Sequence, residues 1–165
     1  MTDENVPSYN QPLLDSYVEL INTKISEKTI VESYINEDNF HLPTLIVDPK
    51  EWLALANLLR DDEEFAFNYL MNLSGVDYIE YMEVIYHLYS YKRNQYLAVK
   101  VKTERDGGSL PSVIDVWRAA DWQEREAYDL LGINFTGREI TRILMPDDWV
   151  GHPLRKDYVF PEEEV

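Results

Sequence analysis

Three stretches in the middle of the chain repeat apolar residues with a period of two, which suits a pleated strand and not a helix, and no other feature narrows the fold as much. Phe67, Tyr69, Met71 and Leu73 alternate with Asn68 and Asn72, and the run ends at Gly75. Val84, Tyr86 and Leu88, then Leu97, Val99 and Val101, carry the same period around a turn near Lys92-Arg93-Asn94. These predict three strands, the last two forming a long hairpin. Upstream, the β-branched runs Thr29–Ile35 and His41–Val47 flank the polar Asn36-Glu37-Asp38-Asn39 and predict a further hairpin, with His41 and His87 in strands.

Helical signals lie outside these runs. Pro12 suits a first turn, and Leu13, Leu14, Tyr17, Val18, Ile21, Lys24 and Ile25 recur at three- and four-residue spacing, predicting a helix over 12–27. Asp48, Pro49 and Glu51 read as a helix start ahead of Trp52–Leu59, and the acidic Asp61-Asp62-Glu63-Glu64 as the opening of another short helix. Asp106-Gly107-Gly108 reads as a loop. Helix returns between Ser112 and Leu131 and is closed by Gly132. Strands and helices are segregated, so the expected class is α+β: a mixed or antiparallel sheet with helices packed on it. Residues 1–11 read as a flexible arm, 12–145 as a single domain and 146–165 as an extended partner-binding tail.

Charge and composition exclude several functions. The formal charge is −16, from 15 basic and 31 acidic residues, which repels a phosphate backbone and argues against nucleic acid. The absence of cysteine removes disulfides, thiolate metal sites and cysteine-ligated iron–sulfur clusters. His41, His87 and His152 have no metal-ligand spacing, and neither a phosphate-binding glycine motif nor a G-x-S-x-G elbow occurs. No apolar run is long enough to span a membrane. Paired carboxylates such as Asp147-Asp148 and Glu124 with Glu126 keep an acid–base hydrolase open as an alternative, beside an acidic binding module.

The stretch from Glu124 to Tyr158 holds the candidate functional residues. Glu124, Arg125 and Glu126 span about 200° of a helix, so they cannot share a narrow solvent face. One of them must lean toward the Ala127/Leu130/Leu131 stripe and needs a partner there, and Arg125 with Asp129 is an available i,i+4 pair. An ordinary surface helix with all charges in water is the competing reading. Beyond it come Arg138, Arg142 and a run broken by Pro146, Gly151 and Pro153, which carries Trp149, His152, Leu154, Arg155, Lys156 and Tyr158. This run is rich in interface-type anchors, and it needs a neighbour or its own domain to order it.

The residue order goes further than composition. Glu124-Arg125-Glu126-Ala127-Tyr128-Asp129-Leu130-Leu131-Gly132-Ile133, then Arg142-Ile143-Leu144-Met145-Pro146-Asp147-Asp148-Trp149 and Gly151-His152-Pro153-Leu154-Arg155-Lys156-Asp157-Tyr158, resembles the C subunit of NADH:quinone oxidoreductase, respiratory complex I. Weaker likeness extends through Asn72–Tyr78 and Leu110–Val113. The resemblance implies a cofactor-free subunit of the hydrophilic arm, packed against the quinone-site D subunit, with flavin and iron–sulfur clusters in partner subunits. It also implies a peripheral position on the cytoplasmic side of the membrane, within a proton-pumping translocase whose catalysis belongs to the whole complex. Arg138 departs from the pattern, where the family usually carries His or Lys, and keeps only the charge. Membrane-bound hydrogenases and other donor-dependent quinone reductases use similar subunits.

Overall fold

The computed structural model describes residues 8–160; most of the expected N-terminal arm and the acidic 162–164 run lie outside the described residues. The chain runs α1 (Gln11–Lys24), β1 (Ile30–Asn36), β2 (Leu42–Val47), α2 (Trp52–Asp61), β3 (Tyr69–Asp77), β4 (Tyr81–Ser90), β5 (Gln95–Glu104), β6 (Ser109–Pro111), α3 (Ala120–Leu131) and β7 (Asn134–Thr136). Five strands form one sheet in the order β1-β2-β5-β4-β3, antiparallel except where β2 runs parallel to β5, and β6 and β7 form a separate parallel pair. The class is α+β with a mixed sheet, as the alternating and helical periods imply.

The core lies on one face of the sheet. Leu45, Val47, Val84, Tyr86, Leu88, Leu97, Val99 and Val101 are buried there and share a cluster with residues from all three helices. Their order follows from register, since Val84 pairs with Val101 and Tyr86 with Val99 across β4 and β5, while Leu45 and Val47 lie opposite Val99 and Val101 across β2. Trp52 of α2 packs its ring 4.4 Å from that of Tyr86, and Tyr17 of α1 meets Phe65 and Phe67. Burial pushes the Tyr17 hydroxyl up to about 12.

Several local expectations are displaced. In β3 the alternation breaks at a bulge: the pairing passes from Leu70↔Leu88 to Asn72↔His87, leaving Met71 as the extra residue. An unpaired residue reverses which side chains face inward. Leu70 and Leu73 therefore enter the core, whereas Tyr69 and Met71 are exposed. Helix α1 ends at Lys24, short of 27. The acidic 61–64 run opens no helix: α2 continues through Asp61, and Asp62 turns extended. Its carboxylates serve cations instead, Lys24 bonding Asp62 and Glu64 at 2.6 Å each and Arg60 bonding Asp61 at 2.6 Å. Asp48 does not cap a helix. Its carboxylate takes the N–H of Lys50 in a local turn, and α2 begins at Trp52. His41 sits in the turn before β2 with φ of 53°, not in a strand.

Gly75 lets α3 approach the sheet. A Cβ there would lie 2.6 Å from Leu131 Cδ1 and 2.8 Å from Ile133 Cδ1, closer than carbon atoms tolerate. Gly75→Val is expected to lower stability by about 1–3 kcal/mol through overpacking, read as a fall in the urea midpoint. Gly75→Ala should lie between Val and wild type.

Candidate functional site

Helix α3 carries the charged signature and sets its two buried carboxylates against different parts of the chain. It closes at Gly132, whose φ of 77° is left-handed, and a Cβ there would come within 2.7 Å of the His152 ring. Glycine thus ends the helix and also leaves room for the returning tail.

Glu124 and Asp129 are both 0% exposed. Glu124 accepts the Ser112 hydroxyl at 2.7 Å, the Val113 N–H at 2.8 Å and Arg138 at 3.2 Å, and Arg138 also binds Asp121. It ties the loop ahead of α3 to the segment after β7. Asp129 accepts Arg142 at 2.7 Å and three consecutive backbone N–H groups, from Ile143, Leu144 and Met145, at 3.0, 2.7 and 2.8 Å. Successive N–H groups converging on one oxygen form an anion nest. The anion here is the protein's own side chain.

The expected Arg125–Asp129 pair is not made. Asp129 points into the nest, and Arg125 donates to the carbonyls of Thr141 (3.2 Å) and Arg142 (2.9 Å) while its guanidinium lies 5.3 Å over the Trp122 ring. Both residues clamp the same strip of chain, Arg125 through the strip's carbonyls and Asp129 through its N–H groups. The burial of two acids also rules out the surface-helix reading. Glu126 is exposed and forms no polar contact among the described residues.

The tail from Pro146 to Phe160 contains turns and no helix or strand, and its own domain orders it. His152 Nδ1 lies 2.9 Å from the Asp129 carbonyl, the Leu154 N–H donates to the Leu130 carbonyl at 2.9 Å, and Arg142 reaches the Gly151 carbonyl at 3.3 Å. A second clamp stands at the end of β3. Asp77 accepts Arg105 at 3.0 and 2.9 Å and the Lys156 N–H at 2.9 Å. Arg105 goes on to Asp157 at 3.0 Å, and Arg155 pairs with Asp106. Trp149 and Tyr158 both meet the Phe160 ring, at 6.0 and 5.7 Å. Leu144, Val150, Leu154, Val159 and Phe160 remain exposed.

Of the expected site residues, Glu124 and Arg138 meet beside the loop ahead of α3, Arg125, Asp129, Arg142 and His152 gather at the nest, and Arg155 and Lys156 join the Asp77 clamp; Trp149, Leu154 and Tyr158 ride on the tail these contacts hold. Sequence reasoning missed Asp77, Arg105, Asp106, Ser112 and Asp121. Asp77, the last residue of β3, and Arg105, in the turn after β5, are 28 residues apart, and no local period relates them. The described residues contain no cluster of metal-binding side chains.

The carboxylates titrate in opposite directions. Arg105 holds Asp77 well below the usual carboxylate range, against the upward push of burial and with help from the Lys156 and Ile79 N–H groups. Burial pushes Asp129 up, but its three backbone donors and Arg142 outweigh it, so the net direction is down. Burial also pushes Glu124 up and there prevails over Ser112, Val113 and Arg138. A depressed acid contributes stability above its unfolded value, about 3.9 for Asp, and loses it as pH falls through the folded value. A raised acid does the reverse, so Glu124 favours the fold less as pH rises through its folded value. Acidification below about pH 4 should therefore free the tail while Glu124 opposes general unfolding. Increased cleavage by pepsin, which is active in acid, beside Leu154 and Tyr158 ahead of loss of the circular dichroism signal would report it, and at neutral pH trypsin cleavage after Arg155 and Lys156 probes the same segment. Asp129→Asn should expose the same bonds at neutral pH and cost about 3 kcal/mol, because it strands Arg142 and a set of backbone donors.

Comparison with known proteins places this arrangement. The family model described as "Respiratory-chain NADH dehydrogenase, 30 Kd subunit" matches residues 45–164. The C subunit of NADH-quinone oxidoreductase from Roseiflexus sp. strain RS-1 is 44% identical over 126 residues, covering 74% of this chain and 72% of that protein. Its counterpart from Chlorobium phaeobacteroides is 46% identical over 121 residues, covering 71% and 73%. Among solved structures, a chain of the membrane-bound sulfane sulfur reductase, an archaeal respiratory membrane complex, superposes with a TM-score of 0.72 at 23% identity over 88% of this chain and 85% of that one. A trypsin-resistant fragment of Nqo5 gives 0.60 at 24% identity over 78% and 98%. These two share the fold. Because the family model takes in α2, α3, strands β3 to β7, both clamps and the tail, and the curated relatives agree at nearly half of the aligned positions, the chain belongs to the family of respiratory-chain NADH dehydrogenase 30 kDa subunits.

Proposed function

We propose that this chain is an assembly subunit of the hydrophilic arm of a proton-pumping NADH:quinone oxidoreductase, and that its clamped tail docks on the quinone-site D subunit. The observation that carries this reading is the tail itself. The clamps at Asp129 and Asp77 order it, yet it holds Val150 and Val159 at 83% exposure, with Leu154 and Phe160 also turned to solvent. Apolar side chains fixed in water on a pre-ordered segment suit a partner surface, because the ordering cost is met before association.

The chain binds no cofactor and performs no chemistry of its own in this reading; flavin and iron–sulfur clusters reside in partner subunits. Each oxygen of the two buried carboxylates already accepts from a protein donor, and both acids are 0% exposed, which supports a structural role for Glu124 and Asp129. No helix among the described residues is long and apolar enough to cross a membrane. Attachment at the cytoplasmic side of the membrane is then through partner subunits.

The test is co-purification of the assembled complex. Deletion of 146–165, and Leu154→Asp within the full chain, should each reduce recovery of the D subunit at least ten-fold while the sheet signal in circular dichroism persists. Wild-type recovery with both variants would defeat the tail's role. The other subunits found by mass spectrometry identify the electron donor, and the absence of an NADH-oxidising flavoprotein would move the chain to a hydrogenase or another donor-dependent reductase.

A further inference from the structure

We infer that the chain carries a second docking surface, at the end of the sheet opposite the tail clamps, which receives an uncharged apolar segment of a neighbouring subunit. The inference rests on the reading of the chain as an assembly subunit. The surface is a cavity of about 670 Å³ where β2 and β5 begin, β4 ends and β3 begins, and Tyr9, Phe40, Met71 and Tyr96 form its apolar wall. The tail clamps occupy the other end of the same strands, at Asp77 and Arg105.

Charge points to the occupant. None of the cavity's lining residues is Asp, Glu, Lys or Arg, in a chain that is 28% charged. Charge depletion combined with aromatic residues and methionine marks the buried centre of a protein interface. The polar part of the lining is mainly Asn and Gln side chains, which can pair with backbone N–H and C=O groups of an inserted segment without requiring a charge. A neutral protein segment fits this wall, and a charged one would lose its hydration there with no counter-ion.

Two irregularities in separate elements build the same wall. The bulge in β3 turns Met71 out of the core and into the cavity. In the β1–β2 turn, Phe40 and His41 are consecutive non-glycine residues in left-handed backbone, with φ of 51° and 53°. That turn holds Phe40 at 90% exposure. The turn's backbone is held by Asn10 and Tyr9, which donate to the carbonyls of His41 and Phe40, but the Phe40 ring itself buries almost nothing in this chain, so a large apolar residue in disfavoured backbone there gains little from the fold.

The test uses the intact complex. Met71→Glu places a charge in the cavity, Met71→Gln is its neutral control, and Phe40→Asn suits left-handed backbone but removes the anchor. The expected result is at least a ten-fold loss of incorporated chain for Met71→Glu and a clear loss for Phe40→Asn, with Met71→Gln closer to wild type. Phe40→Asn should melt at or above the wild-type temperature, an outcome that separates docking from folding. A photo-crosslinking phenylalanine analogue at position 40 should join the chain to a different subunit from the one reached by the same analogue at position 154.

Wild-type incorporation of Met71→Glu and Phe40→Asn overturns the inference. So does a crosslink from position 40 to a second copy of this chain, or a small molecule retained by the wild-type complex and lost with Met71→Glu. Failure of the wild-type chain to co-purify with any other protein of the complex would defeat the assembly reading itself. Intact tail dependence with unaffected cavity variants would defeat only the second surface.

Discussion

The rest of the site depends on the buried carboxylate of Asp129 in its nest of three N–H groups and Arg142. Neither half is stable alone. A buried, unpaired carboxylate is strongly penalised, and three adjacent N–H groups turned away from water would be orphaned donors. Together they fix the direction in which the chain leaves the domain after Arg142. The Asp129 carbonyl, on the same residue, lies against His152, so one position on α3 directs two separate passes of the tail. Buried ion pairs often contribute little net stability relative to apolar replacements. The consequence here is geometric: one path for the segment instead of many.

Glu124 and Asp129 show how similar acids on one helix acquire different electrostatic characters. Both are fully buried, but Asp129 receives three backbone donors on one oxygen and an arginine on the other, whereas Glu124 has one hydroxyl, one N–H and a longer contact to an arginine shared with Asp121. Donor number decides whether burial prevails. Burial prevails at Glu124 and is outweighed at Asp129. The tail clamp therefore weakens on acidification while the anchor ahead of α3 does not.

Much of the fold is legible from local patterns. The hairpins follow from period-two runs interrupted by polar turns, and the end of α3 from Gly132, because strand faces and helix termini are set by near neighbours in sequence. The face of β3 was not legible: one unpaired residue reverses the alternation, and the bulge at Met71 depends on the partner strand. The Arg125–Asp129 spacing satisfies the helical rule, yet the pair is absent because each side chain reaches a better partner 13 to 17 residues away. Asp77 with Arg105 is out of reach for the same reason. Residue order identified the family where charge and period alone described only a charged helix and an irregular tail.

The distribution of charge explains how an acidic domain can present apolar surfaces without collapsing onto them. Arg105, Arg138, Arg142 and Arg155 are each largely buried and engaged with a carboxylate of the same chain, so these four of the 15 basic residues are spent on internal clamps. The tail's Val150, Leu154, Val159 and Phe160 stand clear of those clamps, and the clamps hold the backbone that carries them. A flexible tail with the same residues could fold back onto any apolar patch, including its own, and would lose entropy on meeting a partner. Fixing the backbone through polar contacts leaves the apolar side chains without an internal destination. That separation, polar groups for ordering and apolar groups for display, is what the proposed docking role requires of the exposed stripe.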